Sequence, residues 1–271
     1  MASRRHQLSI AARVLSLSDP TEKCATALGN TAYWPKLGPD GVFKPPAMPA
    51  KPDRPELKPP TEVPKRRLGN EAGRFALLHA IAHIEYNAIN LAFDMALRFA
   101  DEIDQLGLNA DDFVNDWSKV GQDEARHFEM VNVRLSELGG AYGDLPAHDG
   151  LWDAAKSTED TVTARLAVAP LVLEARGLDV TPGMIKKLTS VGDIPSAEVL
   201  GVIYREEIGH VEVGTKWFNR VCQAMGQDVE ETFKVIVKQR FRGILKPPFN
   251  VEARTEAGLP QQFYSDDIVP V

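Results

Sequence analysis

The sequence predicts an all-α protein: a four-helix bundle with a proline-rich N-terminal arm and an extra C-terminal helix. Apolar residues recur at helical spacing over four long segments after Gly69, and turn-forming glycines and prolines stand between them. Alternating β-branched runs are scarce, so essentially no sheet is expected. The 271 residues suffice for one large core with an added arm. They divide into residues 1–69 (helix and arm packed on the bundle), 70–226 (the bundle) and 227–271 (helix and tail).

Residues 1–17 carry Arg4, Arg5 and Arg13 among apolar side chains and read as a short amphipathic helix. They have the arginines of a transit peptide but no long apolar core, and Asp19 and Glu22 follow at once. Residues 35–64 hold ten of the nineteen prolines, which fix φ and remove backbone donors, so regular helix and central strand are both excluded. Val42, Phe43, Met48, Leu57 and Val63 give this arm apolar anchors, which a purely flexible linker would lack.

The first long helix is expected over 71–104, stopping near Gly107, and the second over 111–138, capped by Asn109 and ended by Gly139-Gly140. A crossover with Gly143, Pro146 and Gly150 leads to the third, over 158–175. Pro182, Gly183, Gly192 and Pro195 then bracket a short helical piece with a turn of its own. The fourth runs over 196–225 and stops at Gly226; a basic amphipathic helix over 230–245 ends at Pro247-Pro248, and an irregular tail closes the chain.

A net charge of −7 argues against a general nucleic-acid coat, and no apolar run reaches membrane-spanning length. Cys24 and Cys222 are too few for a disulfide framework or a thiolate cage and fit a reducing cytoplasm.

The chemistry lies in a repeated motif. The second helix carries Asp123-Glu124-Ala125-Arg126-His127 and the fourth Glu206-Glu207-Ile208-Gly209-His210, each containing Glu-x-x-His. Residues three apart share a helix face, so both side chains can approach one metal ion. One such match is common on solvated faces; the neighbours decide. Glu85 shares its face with Leu78, Ile81, Ala82, Ala88, Ile89 and Ala92. Glu124 has Trp117, Val120 and Phe128 beside it, Glu207 has Leu200, Ile203 and Val211, and Glu174 has Ala167, Leu171 and Leu178. Asp94, Asp123 and Glu212 have polar neighbours and read as solvent-facing, while Glu206 is ambiguous. Four carboxylates in one apolar interior are prohibitively costly without compensation. Two divalent cations would balance them, so Glu85, Glu124, His127, Glu174, Glu207 and His210 are the expected ligands of two iron ions, with manganese as the substitute. Tyr204, one turn before Glu207, and His83, beside the Glu85 stripe with His79, are the candidates to hydrogen-bond a ligand; for Tyr204 the bland reading is a core tyrosine.

The stretch from Leu78 to Glu85, the block Asp123 to Phe128, Leu173-Glu174-Ala175-Arg176-Gly177-Leu178-Asp179, Glu206 to Val211, the arm Pro52-Asp53-Arg54-Pro55-Glu56-Leu57 and the tail Lys246-Pro247-Pro248-Phe249-Asn250 together resemble a bacterial family of ferritin-like proteins of unassigned function. The resemblance covers nearly the whole chain. It implies the ferritin-like fold and the same six ligands, but no reaction. Through its two Glu-x-x-His motifs the chain is more distantly similar to the di-iron monooxygenase that hydroxylates a modified adenosine of tRNA, an analogy at fold level.

Three functions compete. The first is an oxidoreductase that activates O₂ or peroxide toward an unidentified small-molecule substrate. The second is a ferroxidase, iron-handling or peroxide-scavenging protein without an organic substrate, and the third a scaffold stabilised by metal. No glycine-rich dinucleotide fingerprint is present, so electrons would come from a partner or the substrate. The basic residues Lys234, Lys238, Arg240, Arg242 and Lys246, with Lys65-Arg66-Arg67, make RNA the lesser partner reading; a homodimer is compatible with it.

Overall fold

The computed structural model describes residues 3–29, 43–64 and 67–264. The first part of the arm, including Val42, and Lys65 and Arg66 of the basic cluster lie outside them. The protein is all-helical, with no strand among the described residues.

The chain opens with α1 (Arg4–Ser16) and α2 (Pro20–Ala27). The second helix was not foreseen, although its start is written plainly: Asp19 accepts from the Glu22 amide, and Pro20 occupies the first turn. The arm is extended apart from one 3₁₀ turn, Pro60–Glu62. It is pinned by single bonds: the Ala50 amide to Leu15 O (2.8 Å), Arg98 Nη2 to Pro46 O (3.0 Å), and a lone parallel bridge between Leu57 and Ala147.

Two long helices follow, α3 (Glu71–Gln105) and α4 (Ala110–Glu137), folded back at Gly107, whose φ of 72° suits glycine. Asn109 caps α4 as expected, accepting from the amides of Asp111 and Asp112. The crossover contains an unpredicted helix, α5 (Gly150–Lys156).

The third long segment differs most from expectation. It begins as α6 (Val162–Val168), widens into a π-helical turn (Ala169–Glu174), and continues as α7 (Ala175–Ser190). The piece expected to form its own turn is the second half of this helix. The reversal falls at Gly192, about midway between Glu174 and Glu207, so the two acids reach one level. Two prolines shape this segment, and the second, Pro182, was read as its boundary. Pro170 has no amide proton and its ring crowds the preceding turn; the wider π turn takes it up. Gly214 lets it approach, since a Cβ there would lie 2.4 Å from the Pro170 Cβ. Pro182 sits inside α7 and leaves the Leu178 carbonyl without its helical donor. Asn250 Nδ2 supplies that bond from the tail, at 3.1 Å.

The helix α8 (Ile194–Ala224) runs back from Gly192, α9 (Val229–Arg240) ends earlier than expected, and the tail holds α10 (Val251–Glu256) and a 3₁₀ turn, Gln261–Phe263. The α3–α4 and α7–α8 hairpins meet through α4 and α8.

Two large apolar cores result among the described residues, beside a small cluster of Leu91, Trp152 and Ala155. One gathers Phe99, Phe113, Trp117, Leu166, Trp217 and Phe218 with Phe233 and Phe263 from the C-terminal elements. The other gathers Leu78, Ile81, Ile89, Phe128, Leu200 and Ile203 with Val14, Leu15 and Cys24 from α1 and α2.

The polar face of α3 is covered, against the solvent-facing reading of Asp94. Asp94 is fully buried and bonded to Arg165 Nη1 at 2.6 Å, and Asn90 accepts from Lys23 Nζ at 2.7 Å. Burial pushes the Lys23 ammonium down to about 7. The unfolded chain, with Lys23 near 10.5, therefore binds more protons than the folded one between those values. Relative to Lys23→Met, the wild-type protein should gain stability as pH rises from 7 toward 10, by at most about 1.4 kcal/mol per pH unit, in denaturant titrations across that range. A second buried pair fastens the tail. Arg254 donates to both oxygens of Asp179 (2.8 and 2.7 Å) and lies against the rings of Phe249 and Tyr264. Arg254→Ala should cost about 3 kcal/mol in chemical unfolding, and adding Asp179→Ala should restore part of it.

Candidate metal centre

The six predicted side chains come together from four helical segments, at the level between the two cores. Glu85 comes from α3, Glu124 and His127 from α4, Glu174 from the last position of the π turn, and Glu207 and His210 from α8. Glu85, Glu124, His127 and His210 are buried, while Glu174 and Glu207 are partly so.

Each imidazole turns Nδ1 inward. His127 Nδ1 lies 3.4 Å from Glu85 Oε2, 3.4 Å from Glu124 Oε2 and 3.9 Å from Glu207 Oε1. His210 Nδ1 lies 3.0 Å from Glu124 Oε1 and 3.4 Å from Glu207 Oε2. Glu124 and Glu207 thus present one oxygen to each imidazole. Ligand atoms of Glu85, Glu124, His127 and Glu207 all lie within 4.8 Å of one another. Glu174 opens on the same cavity as Glu85, Glu124 and Glu207.

The outer nitrogens face carboxylates of the opposite helix. His127 Nε2 bonds Glu206 Oε2 at 2.7 Å, and His210 Nε2 faces Asp123 Oδ2 at 3.7 Å. A carboxylate only accepts, so Nε2 of His127 carries a proton toward Glu206, and Nδ1 is the nitrogen left facing three carboxylates. Arg126 links this outer layer, reaching Glu206 at 3.0 Å and also pairing with Asp123. Both acids stand immediately before the glutamate of their Glu-x-x-His motif. Glu206 was ambiguous in sequence and Asp123 read as solvent-facing, because helical spacing compares a residue only with its own helix. The partner of each is across the interface; the repeated pentad, acid-Glu-x-x-His, was the available signal.

The other candidates face elsewhere. His83 bonds the Tyr142 hydroxyl through Nδ1 (2.9 Å) and His148 O through Nε2 (3.2 Å), so neither ring nitrogen is directed at the six groups. His79 accepts from the Gly143 and Leu145 amides and anchors the crossover. The Tyr204 hydroxyl accepts from Asn250 Nδ2 at 2.9 Å, tying α8 to the tail. Of the basic residues, Lys234 pairs with Glu230 and Arg240 with Asp160.

Electrostatics sets the chemistry of the cluster. Burial, reinforced by Glu124, raises the Glu85 carboxyl well above its usual range, and burial with Glu207 and Glu124 raises Glu174 to about 8. Burial opposes charge on His127, but Glu124 and Glu85 outweigh it and lift the imidazole to about 11; Glu207 and Glu124 likewise overcome burial at His210. Half of the buried side-chain polar atoms that lack a hydrogen-bond partner among the described residues belong to these six side chains. Buried polar atoms are ordinarily paired. In the cluster all but the outer His210 Nε2 converge, and oxygen and imidazole donors at this spacing can hold a metal ion.

An all-helical protein with a buried carboxylate–imidazole cluster able to hold metal is the class that fold and site define. Residues 16–265 match a family described as "Protein of unknown function (DUF455)", and the chain belongs to that family. An uncharacterized protein of Haemophilus influenzae is 40% identical over 257 residues, spanning 91% of this chain and 88% of its own length. No solved structure matches the chain.

Glu206→Ala should weaken metal binding roughly 10- to 100-fold in competition with a chromophoric chelator, by releasing the His127 ring. The exposed Glu198→Ala on the same helix should leave it unchanged.

Proposed function

We propose that this chain is a dimetal carboxylate protein built on a ferritin-like four-helix bundle, and that it is an oxidoreductase activating O₂ or peroxide. The carrying observation is the convergence of unpaired donor atoms, with Glu124 and Glu207 each offering one oxygen to either imidazole. Four carboxylates and two neutral imidazoles match two divalent cations in charge, and two Glu-x-x-His helices with two further glutamates is a recurrent di-iron or di-manganese donor set. Iron is the proposed metal, with manganese the alternative.

Glu85, Glu124, His127, Glu174, Glu207 and His210 would hold the two ions. Two iron ions supply the electrons for joint reduction of O₂ or peroxide. The protein's part is to fix the donors, through Glu206 on His127 and Asp123 facing His210, and to keep the approach dry. That approach favours an organic substrate over iron handling. A cavity of about 200 Å³ opens onto Glu85, Glu124, Glu174 and Glu207, and its walls are apolar, unsuited to conducting hydrated iron. The buried free thiols Cys24 and Cys222 accord with a reducing cytoplasm, where a separate donor would supply electrons.

Protein loaded anaerobically with iron should bind about two ions per chain, and its optical spectrum should change when air is admitted. Glu124→Ala should lose both properties. Stable metal with an oxygen-indifferent spectrum would count against the oxidoreductase; a wild-type chain that takes up no metal would sink the reading altogether.

A further inference from the structure

The cavity above the carboxylates has a definite chemistry. Its walls are Ile81, Ile84 and Ala88 from α3, Leu173, Gly177 and Val180 across from them, and Leu200 and Ile203 from α8. Ile84 and Val180, on facing helices, are 43% and 36% exposed and mark the way in. The glutamates form the floor.

We propose that this cavity is the binding site of an uncharged, apolar organic molecule of single-ring or short-chain size. The assignment rests on the oxidoreductase reading for its role, but not for its chemistry, which three features carry. The first is volume. A 150 Å³ apolar cavity accommodates benzene, so about 200 Å³ holds one ring with a small substituent.

The second is charge. Arg176 is the cation among the described wall residues, and its Nη1 is already bonded to Lys246 O at 2.7 Å and lies 3.3 Å from Asp179. An anionic ligand would leave water for an apolar wall whose cation is already engaged through Nη1, and four carboxylates balanced by two divalent ions would offer it no net positive charge. An uncharged molecule loses nothing comparable and gains the burial of its apolar surface.

The third is Gly177. It lies inside α7, where glycine costs about 1 kcal/mol against alanine, and no turn or positive φ calls for it. A Cβ placed there meets nothing within 4 Å. A side chain at 177 is therefore tolerated by the packing around it and excluded only by the space it would occupy. Gly177 stands one turn after Glu174, so that space adjoins the carboxylates.

The test uses the full-length protein with its metal content measured on the same sample. Binding of toluene and of benzoate, the same ring without and with a negative charge, is followed by calorimetry and ligand-observed NMR. Wild-type protein should bind toluene at least tenfold more tightly than benzoate. Gly177→Leu should lose toluene at least tenfold while keeping its metal. Ala88→Leu, filling the opposite wall, should do the same and stands in should Gly177→Leu not fold. Equal binding of both probes would overturn the assigned class. Undiminished toluene binding in a folded variant would overturn the location, and metal-bearing wild-type protein that ignores toluene would overturn the site while leaving the metal centre intact. Toluene binding by a chain that takes up no metal would uphold the cavity and sink the oxidoreductase reading.

Discussion

Unpaired charge at mid-height is the constraint around which this protein is arranged. Glu85, Glu124, Glu174 and Glu207 face one another with two imidazoles between, and apolar cores close in above and below. Charges so placed repel one another and have little water to disperse them, so something of positive charge must share the layer. In the bare chain the protonated imidazoles fill that part while Glu85 and Glu174 are driven toward their neutral forms; a metal ion would fill it better, because the inward oxygen and Nδ1 atoms already converge. The surrounding elements can be understood as holding the layer still. Glu206 and Asp123 face the outer edges of the rings, Arg126 joins those acids, and the π turn sets the position of Glu174.

The inner side of this arrangement was legible in the sequence. Glu85, Glu124 and Glu207 announce themselves because each is an acid in an apolar stripe, a violation of local pattern that burial without function would not tolerate. The long helices are equally plain, since Asn109, Gly107 and Gly226 mark their ends by ordinary capping and turn chemistry. Helical periodicity, however, ranks a residue against neighbours on its own helix. It sees nothing of what lies across the interface, and so Asp123 and Asp94 were read as solvent-facing. Asp94 is covered by Arg165 from α6, a contact 71 residues away in sequence that no local window contains.

The prolines raise the same point. Pro170, left inside the predicted third helix, and Pro182, read as a break, each remove a donor and crowd the preceding turn. Both effects are present, and both are repaired by groups outside the helix: space left by Gly214 for the first, the Asn250 side chain for the second. A breaker is a statement about an isolated segment, and a distant residue can answer it. The same repair gives the proline- and aromatic-marked tail its physical account, since Phe249, Asn250 and Arg254 close over α7 and α8 together.

That repair has a bearing on when the protein becomes complete. Chains emerge from the ribosome N-terminus first, and segments begin to fold in that order. The helix that carries Glu174 is synthesised well before Asn250, yet its Leu178 carbonyl waits for the Asn250 amide, and Asp179 waits for Arg254. Until the tail has emerged, α7 has an open carbonyl and an acid paired only with Arg176 beside the very turn that positions a donor atom. The frame around the cluster is thus complete only once Asn250 and Arg254 have emerged, and a chain terminated before them would present the acids without it.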